Sequence, residues 1–342
     1  TDSLPMQKGF HEFRRNELVM RYKKGLFNYK PLREHTYLNN GDLYNEDNYF
    51  KTVNTLGQLG AWQQVDGKPV SRGKDSLDIY FFLVPAIKQS YTIGLEGSKN
   101  TADIGLGNLW GISANLIYNN KNVWKRAIQS VTNLSTGVEL NILTTNQDKL
   151  LQTFLVNVGH TYAFPKLILP FKGWKGLNNL DNKRTLLSVN GSYIDRRDFY
   201  RISSFVTSWG YDWKKGNNTW LYKPLNIELY SIEKLPKLYT LIQQDPFLKG
   251  SFNEGRVISQ SLSFIKNFNT ANNPDKSHYI RLGVEEAGGL IGLLPGLKNN
   301  IYRYIKMEAD YRKLIRMRRT YLAWRAFAGV GYNYGTDSLI GR

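Results

Sequence analysis

The sequence has 342 residues, 46 of them Lys or Arg against 28 Asp or Glu, for a formal charge of +18; it has no Cys, and 41% of it is apolar. Without cysteine there is no disulfide scaffold, thiolate metal site or cysteine nucleophile. No run approaches the ~18 apolar residues of a membrane helix, which excludes helical spanning but not spanning by strands that alternate apolar and polar faces. A length well above ~150 suggests about two units. Thr1 opens the chain without a charged-then-apolar leader, which reads as a mature, truncated or non-secreted product.

Pro31 to Leu38 reads as a short helix, broken by Asn39, Asn40 and Gly41. Asn45 is placed to cap a second helix, with Glu46 and Asp47 in the first turn, where the helix dipole favours carboxylates. Tyr49, Phe50, Val53, Leu56 and Leu59 follow at three- and four-residue spacing, and Gly60 stands where a left-handed stop belongs. Ala61 to Val65 predicts a short strand. Gly67 to Pro69 and Arg72 to Ser76 predict turns, and Leu77 to Val84 a nearly continuous apolar strand closed by Pro85. Residues 1–88 are therefore expected to form one small α+β domain.

From Gln89 onward the period becomes two. Tyr91, Ile93 and Leu95 share a face, then Trp110, Ile112, Ala114, Leu116 and Tyr118, then Leu134, Val138 and Leu140, then Phe154, Val156, Val158 and Tyr162. The pattern continues through Leu187, Val189 and Tyr193, through Phe205, Trp209, Tyr211 and Trp213, and through runs at 221–229, 258–264, 280–284, 302–311 and 322–332. About eleven strands result, several near the ~9–11 residues that a tilted membrane strand needs. Turn-rich pieces separate them at 119–122, 178–182, 216–218 and 269–274.

A soluble sandwich also alternates, so the partners of the apolar rows decide. Asn190 and Ser192, Ser204 and Ser208, or Glu308, Asp310 and Arg312 are too hydrophilic for a packed core and suit a wet lumen. Tyr118, Tyr162, Trp213, Trp220 and Tyr332 sit near strand ends, as an aromatic girdle at a membrane interface requires. The fold class expected is thus mostly β: an antiparallel transmembrane β-barrel over residues 89–342, behind the small α+β domain. Arg281, Glu285, Arg303, Lys313 and Arg325 are expected to form lumenal ladders or to face turns.

Catalytic readings lack parts. His11, His35, His160 and His278 stand far apart with no closely spaced carboxylate, so neither a zinc helix nor a triad is suggested; His160 falls on the outward face near a strand end. Gly329, Gly331 and Gly335 precede no helix and fit a crowded strand rather than a dinucleotide loop. No enzyme, cofactor or metal is expected. The basic cluster Arg312, Lys313, Arg316, Arg318 and Arg319 suits a soluble nucleic-acid binder in principle, but a turn attracted to anionic head groups explains it as well. Nucleic acid is the remotest reading.

Several segments carry a resemblance. Gly41–Asp42–Leu43–Tyr44–Asn45, the helix through Thr52, Leu56 and Leu59, Gly60 to Val65 and Leu77 to Pro85 together resemble the last POTRA domain of the BamA/TamA family of outer-membrane assembly proteins. Lys88 to Gly97, Asn119 to Lys125, Tyr162 to Pro170 and Arg325 to Gly335 are similar to the barrel of its TamA-like lipoprotein (TamL) branch in Bacteroidetes. The resemblance spans most of residues 28–335. It implies a sixteen-stranded barrel of which about eleven strands are present, with a periplasmic POTRA-like domain ahead of it, in the outer membrane of a Gram-negative bacterium. Upstream POTRA repeats, a lipobox Cys and the terminal aromatic are missing. Ser338 to Arg342 is only a distorted echo of the Arg-Gly-Phe-type loop motif.

The activity implied is the insertion or translocation of outer-membrane or surface proteins through a lateral seam. Its gate strand would be Gln89 to Gly97, pairing with clients through its backbone while Tyr91, Ile93 and Leu95 face lipid. Ala61, Trp62, Gln63 and Val65 would offer a second docking edge, or simply pack on the helix. The implied partners are client outer-membrane proteins, the lipid bilayer with lipopolysaccharide, and a periplasmic or inner-membrane protein. A two-partner-secretion or passive pore is the alternative, and the helix-bearing domain disfavours passive diffusion.

Overall fold

The structure is a computed structural model and describes residues 10–15, 18–23, 26–100, 109–142, 150–170, 180–245, 248, 252, 254–268, 276–289 and 301–335. Two compact units emerge. The first comprises Thr1–Ser90, Tyr118–Val131 and Tyr162–Lys166, and the second comprises Tyr91–Ile117, Thr132–Thr161 and Leu167–Arg342.

In the first unit, β1 (His11–Arg15) and β2 (Leu18–Tyr22) form an antiparallel hairpin, followed by α1 (Tyr29–Glu34), α2 (Glu46–Gln58), β3 (Trp62–Arg72) and β4 (Ser76–Pro85). The Asn45 side chain accepts a hydrogen bond from the Asn48 N–H, capping α2 as its sequence requires. Gly60 follows at φ +66°, a left-handed conformation that any side chain would strain. Leu32, Leu56, Leu59, Ala61, Trp62 and Ala127 make the core, and the Phe27 ring lies 3.9 Å from that of Trp62.

Of the two turns expected between 67 and 76, the one at Arg72 to Ser76 joins β3 to β4 and the other is absent. Gly67 to Pro69 lies inside β3, paired with Ile79 to Phe81 of β4. The Tyr49 ring packs so closely on Gly67 that a Cβ there would sit 2.5 Å from its hydroxyl, so glycine serves a close approach rather than a bend. A two-stranded sheet leaves every second N–H of each strand unpaired, which makes room for Pro69. α1 also starts and ends earlier than the expected 31–38. The hairpin of β1 and β2 was not foreseen.

Eleven strands make one antiparallel sheet in chain order. They are β5 (Gln89–Asn100), β6 (Leu109–Val123), β7 (Ile128–Leu140), β8 (Leu151–Phe164), β9 (Asp181–Arg196), β10 (Tyr200–Lys215), β11 (Asn218–Lys234), β12 (Gly255–Asn267), β13 (Lys276–Ala287), β14 (Tyr304–Arg316) and β15 (Tyr321–Asn333). The Asn119–Asn122 segment is not a turn but the end of β6. Its asparagines serve the true turn at 124–127: Asn122 Oδ1 accepts from the Ala127 N–H at 3.0 Å, and the Asn122 amide donates to the Leu26 carbonyl at 2.8 Å. Trp124, Lys125 and Ala127 all have left-handed φ there, and the Lys125 carbonyl accepts from the Asn28 N–H at 2.8 Å. Strained turns of this kind persist where surrounding contacts fix them. A third helix, α3 (Pro236–Gln244), interrupts the connection from β11 to β12 and was unforeseen. The expected turn at 269–274 and the loop-motif echo at 338–342 lie outside the described residues.

Candidate functional site

Register separates the two faces of the sheet. On one, Leu187 opposes Trp209, Phe205 opposes Leu229, Leu262 opposes Val284, Leu282 opposes Ala309, and Met307 opposes Val330. These rows are covered by nothing among the described residues: Leu282 is 47% and Met307 49% exposed, values that a core strand never reaches. On the other face hydroxyls and charges meet across strands. Ser188 bonds Ser208 at 2.7 Å and Ser192 bonds Ser204 at 2.6 Å. Arg184 Nε donates to both oxygens of Asp212, at 3.0 and 3.1 Å, and Asp310 accepts from Arg312 and Arg325.

The polar face is concave. Asn133 of β7, Ser188 and Asn190 of β9, Lys223 of β11, Ser261 of β12 and Glu285 of β13 line one cavity of about 450 Å³. Residues on strands six places apart in the sheet share that space only because the sheet curls around it. The apolar rows are thus on the outside of the curl and the hydrophilic rows within.

The sheet ends at β5 and β15, each of which pairs with one neighbour. β5 presents Tyr91, Ile93 and Leu95 on one face at 68, 75 and 80% exposure. Its first residue, Gln89, donates to the Tyr118 hydroxyl of β6 at 2.7 Å, and Gly97 has no neighbour within reach of an added Cβ. Backbone N–H and C=O groups on the outer side of β5 therefore lack a strand partner among the described residues, the arrangement that templates strand addition elsewhere.

Over 95% of its length this chain is similar to the crystal structure of BamA from Haemophilus ducreyi lacking POTRA domains 1–3, at 12% identity and a TM-score of 0.52. It covers 60% of that chain. The fold is that of a BamA-type barrel. CdiB from Acinetobacter baumannii aligns over 91% of this chain and 66% of its own, at 10% identity and a TM-score of 0.35, too low to argue from. No protein-family model and no curated protein matches the sequence.

In a BamA-type barrel the aromatic residues at strand ends become meaningful as sets. Trp213 and Trp220 are register partners at the turn joining β10 and β11, stacked at 6.4 Å and 9°, and Trp220 packs on Phe264 at 4.7 Å. Tyr162 stacks on Trp124 at 5.5 Å. Tyr332, 68% exposed, opposes Ile305 at the opposite end of the sheet from Trp213.

The four residues expected at a docking edge split. Ala61 and Trp62 are core residues at 2% and 8% exposure, with Val65 packed against them, and Gln63 is the bulged, exposed residue between Trp62 and Gln64. Three of the four side chains serve packing, leaving Gln63 and the main-chain groups of β3 for a partner. Arg312 shares the polar face with Asp310, as the row Glu308, Asp310 and Arg312 requires, whereas Lys313 opposes His278 and Trp324 on the apolar face, near the turn after β14 and outside any lumenal ladder. His160 bonds Thr132 at 2.8 Å, and among the described residues no group of acids and histidines could hold a metal.

Proposed function

We propose that this chain works without catalysis in the outer membrane, inserting or translocating outer-membrane or surface proteins, as a barrel of the BamA/TamA type and of its TamL branch. Gln89 to Gly97 of β5 is the gate strand, and a client strand adds to its open edge by backbone pairing. The observation that carries this reading is the combination of an edge strand with no outer strand partner among the described residues and a sheet whose apolar rows face outward. In this reading the α1, α2, β3 and β4 unit is a periplasmic POTRA-like domain, and the free main-chain edge of β3 receives a periplasmic or inner-membrane partner. Lipid and lipopolysaccharide surround Tyr91, Ile93 and Leu95.

A pair of proline substitutions tests it. Successive N–H groups of an edge strand point alternately to the ladder and to the free side, and proline removes the donor. Of Thr92→Pro and Ile93→Pro, one therefore breaks pairing with β6 and the other removes only an outer donor. The variant that keeps normal abundance and heat-modifiable migration on a gel is expected to accumulate unassembled clients. Normal client assembly in that variant would make β5 a merely structural strand and favour a secretion or passive pore.

A further inference from the structure

Six cations gather at one end of the sheet, where β10 to β15 meet short turns. Lys214 and Lys215 close β10, Lys266 stands one residue from the end of β12, and Arg316, Arg318 and Arg319 form the tip between β14 and β15. Register puts them on one rim: Lys215 opposes Asn218, Asn218 opposes Lys266, and Arg316 opposes Tyr321. Among the described residues none of these six cations has a carboxylate partner. At the other end Arg201 pairs with Asp195 and Glu233, Lys237 with Asp198, and Lys306 with Glu308.

Aromatic rings accompany the unmatched cations. The Trp213 and Trp220 stack adjoins Lys214, the Lys266 amine lies 4.6 Å from the Phe268 ring centre, and the Arg316 guanidinium lies 5.8 Å from that of Tyr321. Amphipathic rings settle at the boundary of hydrocarbon and water, and cations one step further out meet phosphates. Lys215 and Lys266 share the outward face with Trp213, Trp220 and Phe264 instead of lining a groove, so a nucleic-acid backbone docked on them would leave those apolar rows uncovered.

We infer that this basic and aromatic rim binds the anionic head groups of phospholipids in the leaflet at the turn end of the barrel. The inference rests on the outer-membrane reading above. It is tested with the full chain inserted into phosphatidylcholine vesicles carrying a trace of spin-labelled phosphatidylglycerol or phosphatidylcholine, by comparing the motionally restricted fraction of each.

Phosphatidylglycerol is expected to be preferred several-fold at low salt. The preference should collapse toward one at about 0.5 M salt, where screening is short-ranged, and in a variant carrying Gln at all six positions. Lys214→Gln with Lys215→Gln alone should lower it partway, which guards against misfolding of the larger variant. Arg201→Gln with Lys237→Gln, at the other end, should leave it unchanged. A ratio near one for inserted wild-type protein overturns the proposal while leaving the barrel reading intact. Failure to insert, seen as absent heat-modifiable migration, overturns both. Salt-sensitive binding of duplex DNA without lipid preference overturns it in favour of nucleic acid.

Discussion

Asp310 shows how single residues serve the two faces. Its carboxylate accepts from Arg312 on its own strand at 2.7 Å and from Arg325 on the next at 2.9 Å, so two guanidinia on the polar face share one anion. The two cations are thereby held apart by the anion between them, with one positive charge in excess at that point of the polar face. Gly60 is a second residue on which geometry depends. Its φ of +66° disfavours any Cβ, and a Cβ would also lie 2.3 Å from Nε2 of Gln129, which donates to the Leu59 carbonyl at 3.0 Å. Gly60→Ala is expected to cost about 1–3 kcal/mol, the usual strain of a residue held in a sparsely populated region, and to displace Gln129. Urea titration of the folded chain reads the cost. An unchanged midpoint would mean that the end of α2 relaxes freely.

At the scale of elements, α2 shows what its apolar stripe is for. Leu56 is 2% exposed among Leu32, Leu59, Ala61 and Trp62, and Leu56→Ala is expected to destabilise the first unit by about 2–5 kcal/mol. Limited proteolysis between α1 and β4 would detect it, and wild-type resistance would place the stability of that unit elsewhere. This helix was legible because capping, dipole and period all agree at Asn45 to Gly60. The eleven strands were legible because apolar rows such as Leu187 and Val189 alternate with Ser188 and Asn190. Other elements were hidden for physical reasons. Gly67 and Pro69 carry turn chemistry, yet Tyr49 packing and an unpaired sheet edge hold them extended. Asn119 to Asn122 look like a turn because their side chains bond the turn that follows them. α3 spans only nine residues, too few for a clear period. The candidate gate was legible as a strand, but its lack of a second neighbour among the described residues is a property of the sheet, which no local pattern encodes. The rim was half visible: Arg316, Arg318 and Arg319 are adjacent in sequence, whereas Lys214, Lys215 and Lys266 join them only through register.

For the whole molecule, the decisive physical question is what solvent the outward rows meet, and one pair of substitutions answers it. Leu282 lies mid-strand in β13 on the apolar face and is already 47% exposed, whereas Ser261 lines the polar cavity. If the outward rows meet acyl chains, Leu282→Arg places a cation near the middle of the hydrocarbon and should cost about 2–4 kcal/mol of folding into vesicles. Ser261→Arg, directed into the wet interior, should cost far less. If they meet water, the ranking reverses. An arginine at a half-exposed surface position changes stability by no more than about 0.5 kcal/mol, while an arginine in the walled cavity must displace Lys223 and Glu285. Urea titration of folding in the presence of phosphatidylcholine vesicles, with heat-modifiable migration to count folded protein, measures both. Leu282→Arg folding as well as wild type would remove the membrane from the account of this sheet, and with it the gate at β5 and the lipid-binding rim.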